Sequence, residues 1–275
     1  MTQSITLTAS MRSNLSSLKG IQRQMDTTQE RLSTGKKVNS AIDNASSFYQ
    51  ARSLTNRAAD LDGLLDSMGQ GIQTIQAANE GIEAVTSYVE QLKSVAQSAY
   101  AAKSGNASAD VSSYATQYKA IYDEIANLVA DASYQGINLL NGGNLTVTFD
   151  ENRQHNFTIT GKNIMAASPN GMGLEATVTW ADTAAINTTL GNVKAATDYL
   201  RNYATELGNN FSIIETRQNF TEALIDVLET GADNLTLADM NEESANYLAL
   251  QTRQQLAINS LALASQSAQS VLSLF

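Results

Sequence analysis

Apolar residues recur at spacings of three and four along most of this chain, which is the period of an amphipathic helix and not the alternation of a strand. The chain has 275 residues and one proline, Pro169, so almost nothing in it forbids long helices. The first stripe runs through Met11, Leu15, Leu18, Met25 and Leu32, with the polar Gln22 and Gln29 in register. Gly35 follows, flanked by Arg31, Lys36 and Lys37. A glycine that can turn left-handed, with cations facing the helix dipole, predicts a helix end near residue 34. Ser40 and Asp43 then predict the cap and first turn of a second helix.

The next stripe is Leu61, Leu65, Met68, Ile72, Ile75, Ile82, Val85, Val89, Leu92 and Ala96. It predicts a helix over 61–99, about 60 Å long at 1.5 Å per residue. Residues 103–110 read as a loop, and Val111, Tyr114, Tyr118, Ile121, Ile125 and Leu128 form a further stripe, so two antiparallel helices are implied. A third long helix follows from Ile186, Leu190, Val193, Leu200, Leu207, Phe211, Ile214, Ile225 and Leu228. After a break at Gly231, with Thr236 and Asp239 as a capping pair, the final stripe holds Leu250, Ala257, Leu261, Ala264, Val271 and Phe275. Leu256, Leu263, Leu272 and Leu274 widen it beyond what a free helix in water tolerates.

Between these helices the texture changes. Leu145 to Phe149 and Phe157 to Ile159 alternate apolar and polar residues around a polar turn, which predicts a β-hairpin. Ala176 to Trp180 predicts a third short strand, and His155 falls in the turn as a solvated loop residue. The fold expected is mainly α: long antiparallel helices in a rod-like bundle, coiled-coil terminal helices and a small β-hairpin insert. The terminal helical segments take 1–40 and 234–275, the helical body 41–143 and 181–233, and the hairpin insert 144–180.

Composition narrows the chemistry. The chain has no cysteine and one histidine, which removes thiolate metal sites, thiol nucleophiles and any arrangement needing two imidazoles. The carboxylate pairs Asp123-Glu124 and Glu242-Glu243 are adjacent, hence on diverging helix faces, and read as solvated charges. No catalytic residue, metal or cofactor is expected. A net charge of −10 argues against nucleic acid, whose phosphates need clustered Lys and Arg. No run of 18 apolar residues is present to insert in a membrane, and no basic stretch followed by an apolar one reads as a secretory signal. Charged residues are 16% of the chain, and Ser, Thr, Asn and Gln, about a third of it, take their place.

Amphipathic helices at both ends, separated by a helical body, allow two outcomes. They can close on each other in a monomeric bundle, or neighbouring subunits can cover their wide apolar faces and couple folding to assembly. A contact of the second kind that does not close on itself gives a helical filament.

Three separated motifs resolve the choice by resemblance. The stretch from Arg31 to Ala45, RLSTGKKVNSAIDNA, resembles the N-terminal signature of bacterial flagellin. Residues 133–142, SYQGINLLNG, are similar to that family's helix-to-β junction, and 266–275, QSAQSVLSLF, to its C-terminus. The resemblance implies a short-type flagellin lacking the variable outer domains, because about 40 residues separate Leu140 from Ala181. It also implies a subunit of the flagellar filament, extracellular and exported unfolded without a cleavable signal. Assembly would use Met11, Leu15, Leu18, Met25, Leu32, Leu250, Ala257, Leu261, Ala264, Val271 and Phe275. The implied partners are other copies and sister flagellins, an export chaperone on the C-terminal helix, the export apparatus, and hook-associated and cap proteins. In some flagellins an arginine-bearing helix ending in Gln-Ser-Ala binds an innate immune receptor. Here Glu90 and Leu92 stand where arginines would lie, which implies a weakened contact. The alternatives are a hook-filament junction protein, whose ends are similar, and a surface ligand-binding homologue.

Overall fold

A computed structural model describes residues 9–105 and 108–272. Among them are five helices, α1 (Ala9–Thr34), α2 (Ala45–Ser104), α3 (Ser108–Asp131), α4 (Thr183–Thr236) and α5 (Met240–Leu272), and two strands, β1 (Leu145–Thr148) and β2 (Asn156–Ile159). The chain is mainly α, as the apolar period requires. It divides into two compact units: the first takes the described residues up to Asn56 and from Val227 onward, and the second is Arg57–Asp226.

Local chemistry sets most helix ends. Gly35 closes α1 at φ 71°, its N–H donating to the Arg31 carbonyl at 2.8 Å, the left-handed cap that its lack of a Cβ allows. Ser40 does not cap α2. Asp43 Oδ2 accepts from the backbone N–H groups of Asn39 and Ser40 at 3.0 and 2.8 Å and from Ser40 Oγ at 3.1 Å, so these residues make a turn. Hydrogen bonds from Ser40 to its charged form hold the Asp43 carboxyl below its usual range. The helix begins after Asn44, whose Oδ1 accepts from the Ser47 N–H at 3.1 Å. It starts well before residue 61 because its first turns bury small side chains, Ala51 and Ala58, which barely register as an apolar stripe. The 103–110 loop shrinks likewise: α2 reaches Ser104 and α3 opens at Ser108, with 106 and 107 outside the described residues. Helix α4 runs through Gly231, where a break was expected, because a Cβ there would lie 3.3 Å from Leu54 Cδ1. The glycine permits close approach of another helix; the break falls at Asp239, whose Oδ1 accepts from the Asn241 and Glu242 N–H groups at 2.8 and 3.2 Å.

The second unit is built on α2 and α4. Leu61 shares a depression with Leu224, the Gly71 position lies beside Ile214, and Ile75 shares a groove with Leu207. Rising numbers on one helix meet falling numbers on the other, so the two are antiparallel. Met68, Val85, Leu92, Tyr118, Ile125, Ile186, Leu200 and Tyr203 belong to one buried cluster. The hairpin pairs Leu145 with Ile159 and Val147 with Phe157. Its buried Leu145, Val147 and Ile159 join the same cluster, and Val147 packs where α2 has only Gly71.

Residues 176–180 form no strand. Trp180 is buried instead, ring edge to Tyr118 at 5.7 Å, its Nε1–H donating to Thr189 Oγ1 at 3.1 Å. An indole with a polar partner on α4 holds that segment as a crossing to the helix and leaves no edge to pair.

Tyr203 ties the insert to α4. Its hydroxyl donates to the Leu139 carbonyl at 2.8 Å and accepts from the Lys162 N–H at 3.3 Å. The Lys162 N–H also points at the Leu139 carbonyl, at 2.9 Å. Burial pushes both the Tyr203 and Tyr118 phenols up to about 12. An unfolded tyrosine ionises near pH 10, so these groups favour the folded state fully below that pH, and the contribution is lost as pH rises from about 10 to about 12. Alkaline unfolding followed by circular dichroism is expected to begin above pH 10 and to coincide with phenolate absorbance. Ionisation of these two phenols in a still-folded chain would contradict it.

Candidate assembly interface

The first unit holds the paired termini. Gln254 Nε2 on α5 donates to Gln22 Oε1 on α1 at 2.8 Å, Arg31 Nη1 donates to Glu243 Oε1 at 2.8 Å, and the Ala238 N–H donates to the Gly35 carbonyl at 2.9 Å. Each advance along α1 meets a retreat along α5, so the helices run antiparallel. The junction is closed by backbone: Lys36 bridges Leu237, and the Lys37 and Val38 N–H groups donate to the Thr236 carbonyl at 2.7 and 3.2 Å.

Of the residues expected at the seam, Met11, Met25 and Leu250 are buried, and Leu15, Leu18, Leu32, Ala257, Leu261 and Ala264 are half-buried. Phe275 and the Val271 side chain lie outside the described residues. The polar member of the seam between Met25 and Leu32 is Thr28, which is buried, whereas Gln29 is exposed. Thr28 keeps the three-four spacing from Met25 to Leu32, and either residue fits the sequence pattern.

Glu243 is not a solvated carboxylate. Its side chain is 10% exposed and is matched by Arg31, a charge-assisted bond that answers the cost of burying an anion. Nothing near either residue in sequence announces this pair; it appears only once the antiparallel register brings position 31 to 243. A groove lined by Thr27, Thr28, Arg31, Glu243 and Arg253 follows the seam.

Pairing covers one side of α5. Leu248, Leu256 and Leu263 remain 62%, 62% and 67% exposed. At 100° per residue, spacings of eight and seven place them within about 80° of arc, roughly opposite Leu250 and Leu261. The helix around them is nearly uncharged: Arg253 is the one ionic side chain from position 244 onward. A row of leucines in water with so little charge beside it is a larger exposed apolar patch than a lone soluble subunit needs.

The two positions expected to face a receptor part company. Glu90 is exposed, but Leu92 is fully buried in the second unit's core. Residues two apart on a helix stand about 200° apart, so they cannot share a face, and Leu92 continues the stripe of Val85, Val89 and Ala96.

Comparison with known proteins agrees with this architecture. The model of the bacterial flagellin N-terminal helical region matches residues 5–145, and that of the bacterial flagellin C-terminal helical region matches 190–275. Residues 146–189 between them hold the rest of the hairpin and the crossing to α4, leaving no room for an outer domain. The chain is 32% identical over 262 residues to flagellin FljK of Caulobacter vibrioides, spanning 95% of this chain and 94% of that one. It is 32% identical over 285 residues to a flagellin of Brucella melitensis, spanning 100% and 98%, and 26% identical over 325 residues to flagellin C of Rhizobium meliloti, spanning 100% and 99%. With both terminal helical regions matched and flagellins aligned along nearly its whole length, the chain belongs to the bacterial flagellin family, as a short member without outer domains.

Proposed function

We propose that this flagellin, a structural subunit of the flagellar filament, polymerises through the apolar side of its α1/α5 pair. The supporting observation is the leucine row on α5, which the partner helix leaves uncovered. Burying a leucine contributes about 1.5–3 kcal/mol, so neighbouring subunits that cover this row gain what a lone subunit in water lacks. Met11, Leu15, Leu18, Met25, Leu32, Leu250, Ala257, Leu261, Ala264, Val271 and Phe275 are the proposed assembly residues, some holding the pair and others meeting neighbours. Before assembly the same row suits a dedicated export chaperone. Passage through the flagellar export apparatus to an extracellular filament, with hook-associated and cap proteins at its ends, completes the reading. The role is structural, and no catalytic function is assigned.

Purified subunit added to sheared filament fragments tests it. Long filaments by electron microscopy are the expected result, whereas fragments that gain only a short cap would make this a junction protein.

For the innate receptor contact, Glu90 alone remains at the surface, an anion where recognised flagellins carry a cation. Reversed charge opposes association, so a reporter-cell assay is expected to show weak activation, and Glu90→Arg to raise it. Strong activation by the unchanged chain would overturn this.

A further inference from the structure

The second unit carries two apolar features on its surface. One is a groove of about 610 Å³, lined by buried Ile75 and Leu207, by half-buried Phe211 and Tyr134, and by Ala77 and Gly208, whose small size keeps it open. The other is a stripe on α4, where Ile213 and Phe220, seven residues apart, are 44% and 58% exposed. Phe220 stands nine residues from Phe211, which at 100° per residue is two and a half turns. Stripe and groove therefore look out from opposite sides of α4, and one copy cannot bring them together.

We propose that Phe220 of one subunit seats in this groove of a second copy of the same chain. A knob on one face and its receptor on another make a heterologous contact, which propagates instead of closing into a dimer. Charge agrees with the pairing. Among the described residues lining the groove, Glu80 is the charged one. Arg217 shares a depression with Phe220 and with Asp150 and Glu151, whose carboxylates are already engaged by His155 at 3.1 Å and by Arg57 at 2.9 Å, and it is steadied there by the Phe149 ring, 5.5 Å from its guanidinium carbon. When Phe220 enters the groove, Arg217 travels with it toward Glu80, so the wrong face of a neighbour is disfavoured as the right one is favoured. The aromatic anchor enters a pocket that already holds two aromatic rings, the setting in which interface residues contribute most.

The inference rests on the filament reading and fails separately from it. Because the chain has no cysteine, Thr216→Cys, exposed one turn from Phe220 on α4, and Ala77→Cys can be installed in one chain without background and with the Phe220 anchor kept. Filaments of that double variant, treated with a short bismaleimide and run on a denaturing gel, are expected to give a ladder of dimers, trimers and longer species, while each single variant gives monomer. Filaments that form but yield no ladder overturn the knob-and-groove contact and leave the filament reading standing. Unchanged chain that forms no filaments overturns the filament reading itself. A second arm covers poor assembly of the double variant: Phe220→Ser, at an exposed position, is expected to leave the melting of the second unit unchanged. It should raise the subunit concentration needed for growth about ten- to hundredfold, the factor that one buried phenylalanine commands. An unchanged threshold overturns the proposal.

Discussion

Chains lacking residues 1–35 or 245–275 are expected to keep the Arg57–Asp226 unit folded and to lose polymerisation altogether. That unit has its own core, from Met68 and Ile75 through Tyr118 and Ile125 to Leu207 and Ile214, none of it drawn from the deleted segments. The first unit has no such reserve. Removing 1–35 takes away all of α1, leaving Leu250, Ala257 and Leu261 without the helix they pack on, and removing 245–275 does the same to Met11 and Met25. A subunit that presents one unpaired helix lacks the surface proposed to meet its neighbours, and the loss repeats at every subunit. Circular dichroism should retain the signal of α2, α3 and α4, and sedimentation should report single chains. The double deletion is the cleanest, since it leaves no orphan apolar stripe. Truncated chains that still pellet as filaments would end the account.

The second large effect is expected at Gly161. A Cβ there would overlap the Gly143 carbonyl oxygen and lie 2.9 Å from the Leu139 carbonyl oxygen. Both obstacles are backbone, so no side chain can swing aside. Moving them breaks the Lys162 N–H bond to Leu139 at 2.9 Å and the Gly161 N–H bond to Asn144 Oδ1 at 3.2 Å. Gly161→Ala is expected to destabilise the second unit by about 3 kcal/mol and Gly161→Val by more, a large share of the roughly 5–15 kcal/mol that holds a domain together. A urea denaturation midpoint reads it directly. Gly191 provides the contrast. It is exposed within α4, and a methyl group added there would meet nothing within 4 Å, so Gly191→Ala should raise stability by up to about 1 kcal/mol. If both alanine variants melted alike, the close backbone approach at Gly161 would be wrong.

These sites also mark how far the sequence is legible. Features decided within one turn of chain can be read from it: the cap at Gly35 and the alternation that makes a hairpin of residues 145–159, while of the capping pair Thr236 and Asp239 only Asp239 caps α5 and Thr236 ends α4. The long stripes reveal the helices because a period of 3.6 survives over dozens of residues. Small residues hide what remains: Ala51 and Ala58, buried in α2, continue the three-four spacing through Leu54 to Leu61 with little apolar bulk, and Gly231 lets Leu54 approach. Glycine looks like punctuation at 231, where it serves packing, and like a cap at 35, where it is one. Pairing at long range is silent too: Glu243 looks solvated until α5 turns back along α1 and Arg31 arrives. Leu92 differs, because its place in the stripe with Val89 and Ala96 already implies burial, and the motif match that puts it on a receptor-facing surface runs against that periodicity.

A filament driven at its base turns its subunits into mechanical links, and the phenol of Tyr203 then acquires a second significance. It receives one hydrogen bond and donates another, to two points on the loop that carries the hairpin. Both bonds meet at one oxygen, so a displacement of α4 against that loop loads the two together. A load on α4 within the second unit is thus shared with the hairpin at once, and the insert is tied to the helix instead of trailing from it.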